Sequence, residues 1–138
     1  MKTIYLISCA SKKLSGTEKA EKLYISPLFK LNLQYAKKIN PDHIFILSAK
    51  HGLLSLKIEI ENYNVTLNNM SVPELKTWSK KVLGQLKNKF DLDKDLFIFL
   101  AGQNYRQYLI SNIRNYQVPL KGLGIGKQLQ KLKYLTSE

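Results

Sequence analysis

The chain has 138 residues, 44% of them hydrophobic, with 22 Lys and Arg against 10 Asp and Glu and a formal net charge of +12. That length and apolar fraction suit a single folded domain over residues 1–138 and exclude a disordered chain. No apolar run approaches the roughly 18 residues a membrane span needs, and the lone cysteine, Cys9, excludes an intrachain disulfide, so a reducing cytoplasm is the expected compartment.

In chain order, residues 3–8 read as a first strand buried on both faces, followed by a loop over 9–24 rich in Ser, Lys, Gly and Thr, with a turn of helix through Glu18–Lys22. Ser26-Pro27 is a helix start, a capping hydroxyl before a proline at the first helical position. Leu28, Leu31, Tyr35 and Ile39 then share one face at helical spacing. Asn40-Pro41-Asp42 stops that helix and leads into a second apolar run, Ile44–Leu47. Strand, helix and strand with short joints form a βαβ unit whose strands are parallel neighbours.

The alternation of Leu54 to Glu61 fits either an edge strand or an extended loop, and residues 62–70 read as an ordered excursion over the sheet. Ser71-Val-Pro-Glu74 matches a capping box. The helix it opens carries Leu75, Trp78, Val82, Leu86 and Phe90 on a core face, with lysines opposite. A third strand at 96–100 leads to a helix over 104–113, a short edge strand over Tyr116–Leu120, and a last helix over 127–135. The expected fold is a three-layer α/β sandwich around a small, mainly parallel sheet of about four strands.

Each of the three long apolar runs opens into a small, polar, basic segment, and in open α/β sheets ligands bind outside the carboxyl ends of the strands. Ser8, Ser11, Lys12 and Lys13 follow the first run and suit a phosphate, with backbone N–H groups completing the cradle. Cys9 among them is either a buried hydrophobe or a thiol that the neighbouring ammonium groups activate. Ser48, Lys50, His51 and Gly52 follow the second run, and His51 is a candidate general acid or base. Gly102, Tyr105 and Arg106 follow the third. Gly124 and Gly126 lie in a glycine turn opening the last helix, a pattern that suits an anion. Glu61 is a candidate catalytic carboxylate if the excursion folds over the strand ends, and otherwise part of a solvated face. No Cys/His cluster has metal-ligand spacing, so neither metal nor cofactor is expected.

The charge favours polyanions, nucleic acid first and smaller phosphate ligands second, or else reflects surface positions defaulting to lysine. Arg occurs only at Arg106 and Arg114, which argues against extensive reading of guanine edges.

Taken together, Ser8-Cys-x-x-Lys-Lys13, Tyr24-x-Ser-Pro-Leu-Phe29, Leu47-Ser-Ala-Lys-His-Gly-Leu53, Glu59-x-Glu-x-Tyr63, Ala101-Gly-x-x-Tyr-Arg106 and Gly122-Leu-Gly-Ile-Gly126 resemble an uncharacterised bacterial and phage family of short basic proteins. More distantly, Cys9, Lys12, Lys13, Ser26, Ser48, Gly52, Glu61 and Tyr63 stand in an order similar to the core domain of archaeosine synthase, which modifies a deazaguanine base in transfer RNA. The resemblance implies an α/β domain that handles a nucleobase or nucleotide. The leading expectation is therefore an enzyme acting on a nucleobase or its glycosidic bond, in a nucleic acid or a nucleotide. The alternatives are a non-catalytic basic nucleic-acid-binding module and a phosphate- or nucleotide-sensing domain. No membrane partner is expected, and the sequence sets no oligomeric state.

Overall fold

The computed structural model describes residues 1–10 and 12–137, so the candidate Ser11 lies outside the described residues. The three long apolar runs become β1 (Thr3–Ser8), β3 (His43–Ser48) and β6 (Leu96–Leu100). They form the middle of a five-stranded sheet ordered β4-β3-β1-β6-β7, with β4 at Gly52–Ser55 and β7 at Asn115–Gln117. β1 runs parallel to both β3 and β6, β7 is parallel to β6, and β4 returns antiparallel along β3. The fifth strand is β4, which takes the start of the alternating stretch as an edge. The rest of that stretch supplies β5 (Glu59–Glu61), paired antiparallel with β2 (Thr17–Lys19) in a separate ribbon.

Two helices cover each face. α2 (Pro27–Ile39) packs on α5 (Ile125–Thr136), and α3 (Val72–Lys87) packs on α4 (Gln103–Ile110). A short α1 (Ala20–Leu23) and a 3₁₀ turn at Leu67–Asn69 complete the chain. With crossovers of the usual right hand, the steps from β1 to β3 in one direction and from β3 to β6 to β7 in the other put α2 on one face and α3 and α4 on the opposite one, and α5 joins α2. The product is the expected three-layer arrangement. Among the described residues no helix is long and apolar enough to cross a membrane.

The helix starts follow their capping chemistry. Ser26 Oγ accepts from Phe29 N–H, and the Ser71 and Glu74 side chains close a reciprocal capping box on α3. The inner face of α2 departs from the expected stripe. Phe29, Asn32, Leu33 and Ala36 are the buried positions, while Leu28, Leu31 and Tyr35 sit half-buried and Ile39 is 48% exposed. A helix between a sheet and a second helix has two contact faces, and the expected stripe is only the shallower one. Phe90 lies past the end of α3, with its ring against His43, Phe45 and Phe97. β7 ends at Gln117, two residues before Pro119, which has no N–H to give a ladder.

One buried carboxylate holds the β2–α1 corner. Glu21 has a side chain only 5% exposed, with Lys37 and Lys57 ammonium groups each 2.7 Å from its oxygens. Burial pushes its pKa up, but the contacts with the two lysines outweigh that and hold it below the ordinary value of 4.5. A depressed carboxylate stabilises the fold fully above its unfolded pKa and loses that contribution as pH falls through the folded one. Glu21→Gln is therefore expected to cost about 1 kcal/mol near neutral pH, since Lys37 is half-exposed and Lys57 largely exposed, and both regain water. The gap to wild type should close as pH drops below about 4.5, which thermal melts of both proteins across acid pH will read.

Candidate functional site

The carboxyl ends of the parallel strands are built in two different ways. At β3 the chain makes a hairpin instead of entering a helix: Ser48 pairs with Gly52 across a turn of Ala49, Lys50 and His51. Gly52 sits at φ 74°, a backbone conformation that favours glycine, and a Cβ there would lie 2.5 Å from Gln85 Oε1 and displace that side chain. Gln85 Oε1 itself accepts from Leu53 N–H at 2.8 Å and ties the hairpin to α3.

Ser48 is fully buried beneath the turn. Its Oγ accepts from His51 N–H at 3.1 Å and lies 2.9 Å from the Tyr63 hydroxyl, which is in turn 2.6 Å from the Tyr24 hydroxyl. Trp78 Nε1–H donates to the Ser48 carbonyl at 2.9 Å. Burial, with a further upward push from Cys9, raises the Tyr63 phenol, and Tyr24 is pushed up to about 12, chiefly by burial. Both keep their protons at neutral pH. This is a closed polar cluster that fixes the hairpin and the 62–70 excursion. Ser48 and Gly52, both expected as binding residues, are buried within the hairpin, where Ser48 bonds Tyr63 and His51 and Gly52 pairs with Ser48.

The open site lies one strand over. The chain leaves β1 toward β3 in one direction and reaches β6 on the other side, so the strand order switches between β1 and β6. In doubly wound sheets that crevice is where ligands bind. Two adjoining lobes of about 490 and 470 Å³ occupy it, sharing Ser8, Cys9, Leu28, Asn32 and Ile125. Lys12, Ser26 and Phe29 line the first lobe, and Ala101, Gly102, Gln103, Asn104 and Tyr105 line the second.

Four features give this crevice chemical character. The Cys9 thiol is half-buried at its centre, and its sulfur lies 3.3 Å from the Tyr105 hydroxyl. Burial and the neighbouring Cys9 hold the Tyr105 phenol well above its usual range, so it stays a donor. Its ring meets Trp78 edge-on, 5.7 Å between centroids. The third feature is a pair of helix starts: α4 and α5 begin at Gly102 and Gly124, neither of which offers a capping side chain. Their first N–H groups carry partial positive charge suited to an anion. The fourth is Asn32, only 4% exposed, whose Oδ1 has no hydrogen-bond partner among the described residues. An unpaired buried acceptor costs about 1–3 kcal/mol, and this one belongs to a residue lining both lobes.

The other expected residues distribute unevenly. Lys13 places its ammonium 4.5 Å above the Tyr63 ring, beside the polar cluster. Lys50 is exposed on the hairpin turn. His51 meets Tyr63 edge-on at 5.7 Å; burial and the charges of Lys50 and Lys81 lower its pKa, leaving a neutral imidazole at pH 7. Arg106 donates to the Ala101 carbonyl at 2.7 Å and lines a separate hollow. Gly126 lies in the first turn of α5 with open space where a Cβ would stand. Glu61 is exposed at the end of β5. Neither Glu61 nor His51 lines the crevice, so the structure does not bring the two candidate catalytic groups together with the Cys9 loop. Asn32 was not among the expected residues; its signal is an amide in a stripe otherwise formed by Phe29, Leu33 and Ala36. Among the described residues no three His, Cys, Asp or Glu side chains cluster as metal ligands would.

A family model described as "Family of unknown function (DUF6884)" matches residues 4–134. No curated protein and no solved structure matches the chain.

Proposed function

We propose that this chain, which belongs to that family of unknown function, is an enzyme that takes a nucleobase or nucleotide into the crevice between β1 and β6 and modifies the base there. The observation that carries the reading is the pairing, in one switch-point crevice, of a thiol with a buried, unsatisfied amide carbonyl. A carboxamide can read the edge of a base, accepting from a ring or exocyclic N–H and donating to a ring nitrogen. Two uncapped helix starts nearby suit a phosphate, and Lys12 adds a mobile positive charge at the rim. No carboxylate or imidazole lines the crevice among the described residues. That weakens hydrolysis of the glycosidic bond, which ordinarily uses two carboxyl groups. It favours covalent chemistry on the base itself, for which Cys9 is the strongest nucleophile facing the space.

The test uses the thiol as a reporter. Iodoacetamide alkylates Cys9 in the free protein, and the four ribonucleoside monophosphates are compared as protectants and by titration calorimetry. One of them should bind with a Kd below about 1 mM and slow alkylation in proportion to occupancy, while Cys9→Ala still binds it. No binding by any of the four, with alkylation unchanged by all, overturns the reading. The non-catalytic nucleic-acid-binding module, which the charge of +12 favours, would then lead.

A further inference from the structure

We propose that the groove between α3 and α4 holds the sugar–phosphate backbone of a polynucleotide, so that the crevice receives its nucleotide as part of a chain. This rests on the reading of the crevice as a nucleotide site and names the class of its substrate. The groove encloses about 500 Å³ on the sheet face that α3 and α4 cover. Lys76, Lys80 and Lys87 line it from α3, and no carboxylate does. Positions separated by four and by eleven residues fall on one side of a helix. The three ammonium groups are thus strung over about 16 Å of helix axis, the axial rise of about five phosphates on one strand of a duplex.

The groove also contains a polar group that the fold leaves unused. Ser79 is 2% exposed, and its Oγ has no partner among the described residues. A helical serine in that position ordinarily turns back onto the carbonyl four residues earlier. Ser79 does not, and it lines the groove. Just past the end of the facing helix, the Ser111 hydroxyl and Asn112 amide both donate to the Tyr108 carbonyl, and Lys76 lies 5.6 Å over the Tyr108 ring. The groups left for a ligand are therefore chiefly the lysine ammoniums, which only donate, and the Ser79 hydroxyl, whose proton has no acceptor among the described residues. Phosphodiester oxygens are the matching acceptors. Lysine, as a point charge without a fork, suits the backbone and not the base edges, which predicts little sequence preference. α4 connects the two sites: its first residues line the crevice, and Tyr108 and Ser111 line the groove.

The experiment is fluorescence anisotropy with labelled oligonucleotides of about 20 nucleotides, mixed in sequence, single-stranded and duplex, over a series of salt concentrations. Wild type, the triple Lys76→Ala, Lys80→Ala, Lys87→Ala variant and Ser79→Ala are compared, with melting temperatures for each. The triple variant should bind about tenfold more weakly at low salt, with a salt slope shallower by about 2 to 3. Ser79→Ala should bind severalfold more weakly while melting no lower than wild type, because it removes an unsatisfied hydroxyl. Nucleoside monophosphate binding in the crevice should be untouched in both. Oligonucleotide affinity equal to wild type in both variants overturns the groove even if the monophosphate still binds. Competition by polyglutamate as effective as by the oligonucleotide overturns it as well. Groove-dependent oligonucleotide binding with no monophosphate binding anywhere keeps the groove as a polynucleotide backbone site and overturns both the crevice reading and the link between the two.

Discussion

Asn32→Leu is expected to melt higher than wild type and to lose nucleotide binding by tenfold or more. The two side chains are close in size, so the swap opens no cavity. What changes is that a buried carbonyl without a partner becomes a methyl group among Phe29, Leu33 and Ala36. Removing such an orphan returns about 1–3 kcal/mol, a rise in Tm of roughly 3–10 °C for a chain of this size. The same change removes the group that meets the ligand's N–H, and an unpaired donor on the bound ligand incurs a similar penalty, hence the loss in affinity. Differential scanning calorimetry and nucleotide titration on the same preparation check both halves. A variant that melts lower, with nucleotide affinity intact, would show that Asn32 is structural and that the crevice lacks its reading group.

The largest loss of stability is expected at Trp78. The indole is 6% exposed, bonds the Ser48 carbonyl beneath the hairpin and meets the Tyr105 ring edge-on. Trp78→Ala empties that volume and orphans the carbonyl together, for about 3–5 kcal/mol. That is roughly a fifth or more of the 5–15 kcal/mol a domain usually has. Trp78→Phe keeps most of the packing and loses chiefly the hydrogen bond, for about 1–3 kcal/mol. Urea unfolding of both variants separates the contributions, and a Trp78→Ala midpoint close to wild type would contradict the assignment. Because Tyr105 leans on the same ring, iodoacetamide should reach Cys9 faster in the alanine variant.

Much of the architecture is legible in the sequence because it rests on local pattern. The runs at 4–7, 44–47 and 96–100 are too apolar and too short for anything but buried strands, and Ser26-Pro27 and Ser71-Val-Pro-Glu74 carry their own capping chemistry. Ser48 to Gly52 is different. Its residues suit an open catalytic loop as well as a hairpin, and the deciding contacts come from Trp78, Gln85 and Tyr63, far along the chain. Glu61 shows the same limit: its pairing with Thr17 sets where it stands, and alternation with Ile58 and Ile60 says nothing of that partner. Asn32 is readable in principle as the one amide in the inner stripe of α2, beside Phe29, Leu33 and Ala36.

The central place of β1 has a consequence for how the molecule comes into being. Thr3 to Ile7 lie against Leu96 to Leu100, so one whole edge of the first strand waits for a partner synthesised about ninety residues later. The β1–α2–β3–β4 half can assemble while the ribosome is still translating α3, but it does so with a bare apolar edge. Asp95 closes the gap when it arrives, its carboxylate accepting from Lys2 N–H and from Asp91 N–H. Contacts this remote in sequence slow folding, and an open strand edge invites pairing with other nascent chains. Its cellular yield will accordingly depend on the speed of elongation and on chaperones holding that edge, more than on the stability of the finished fold.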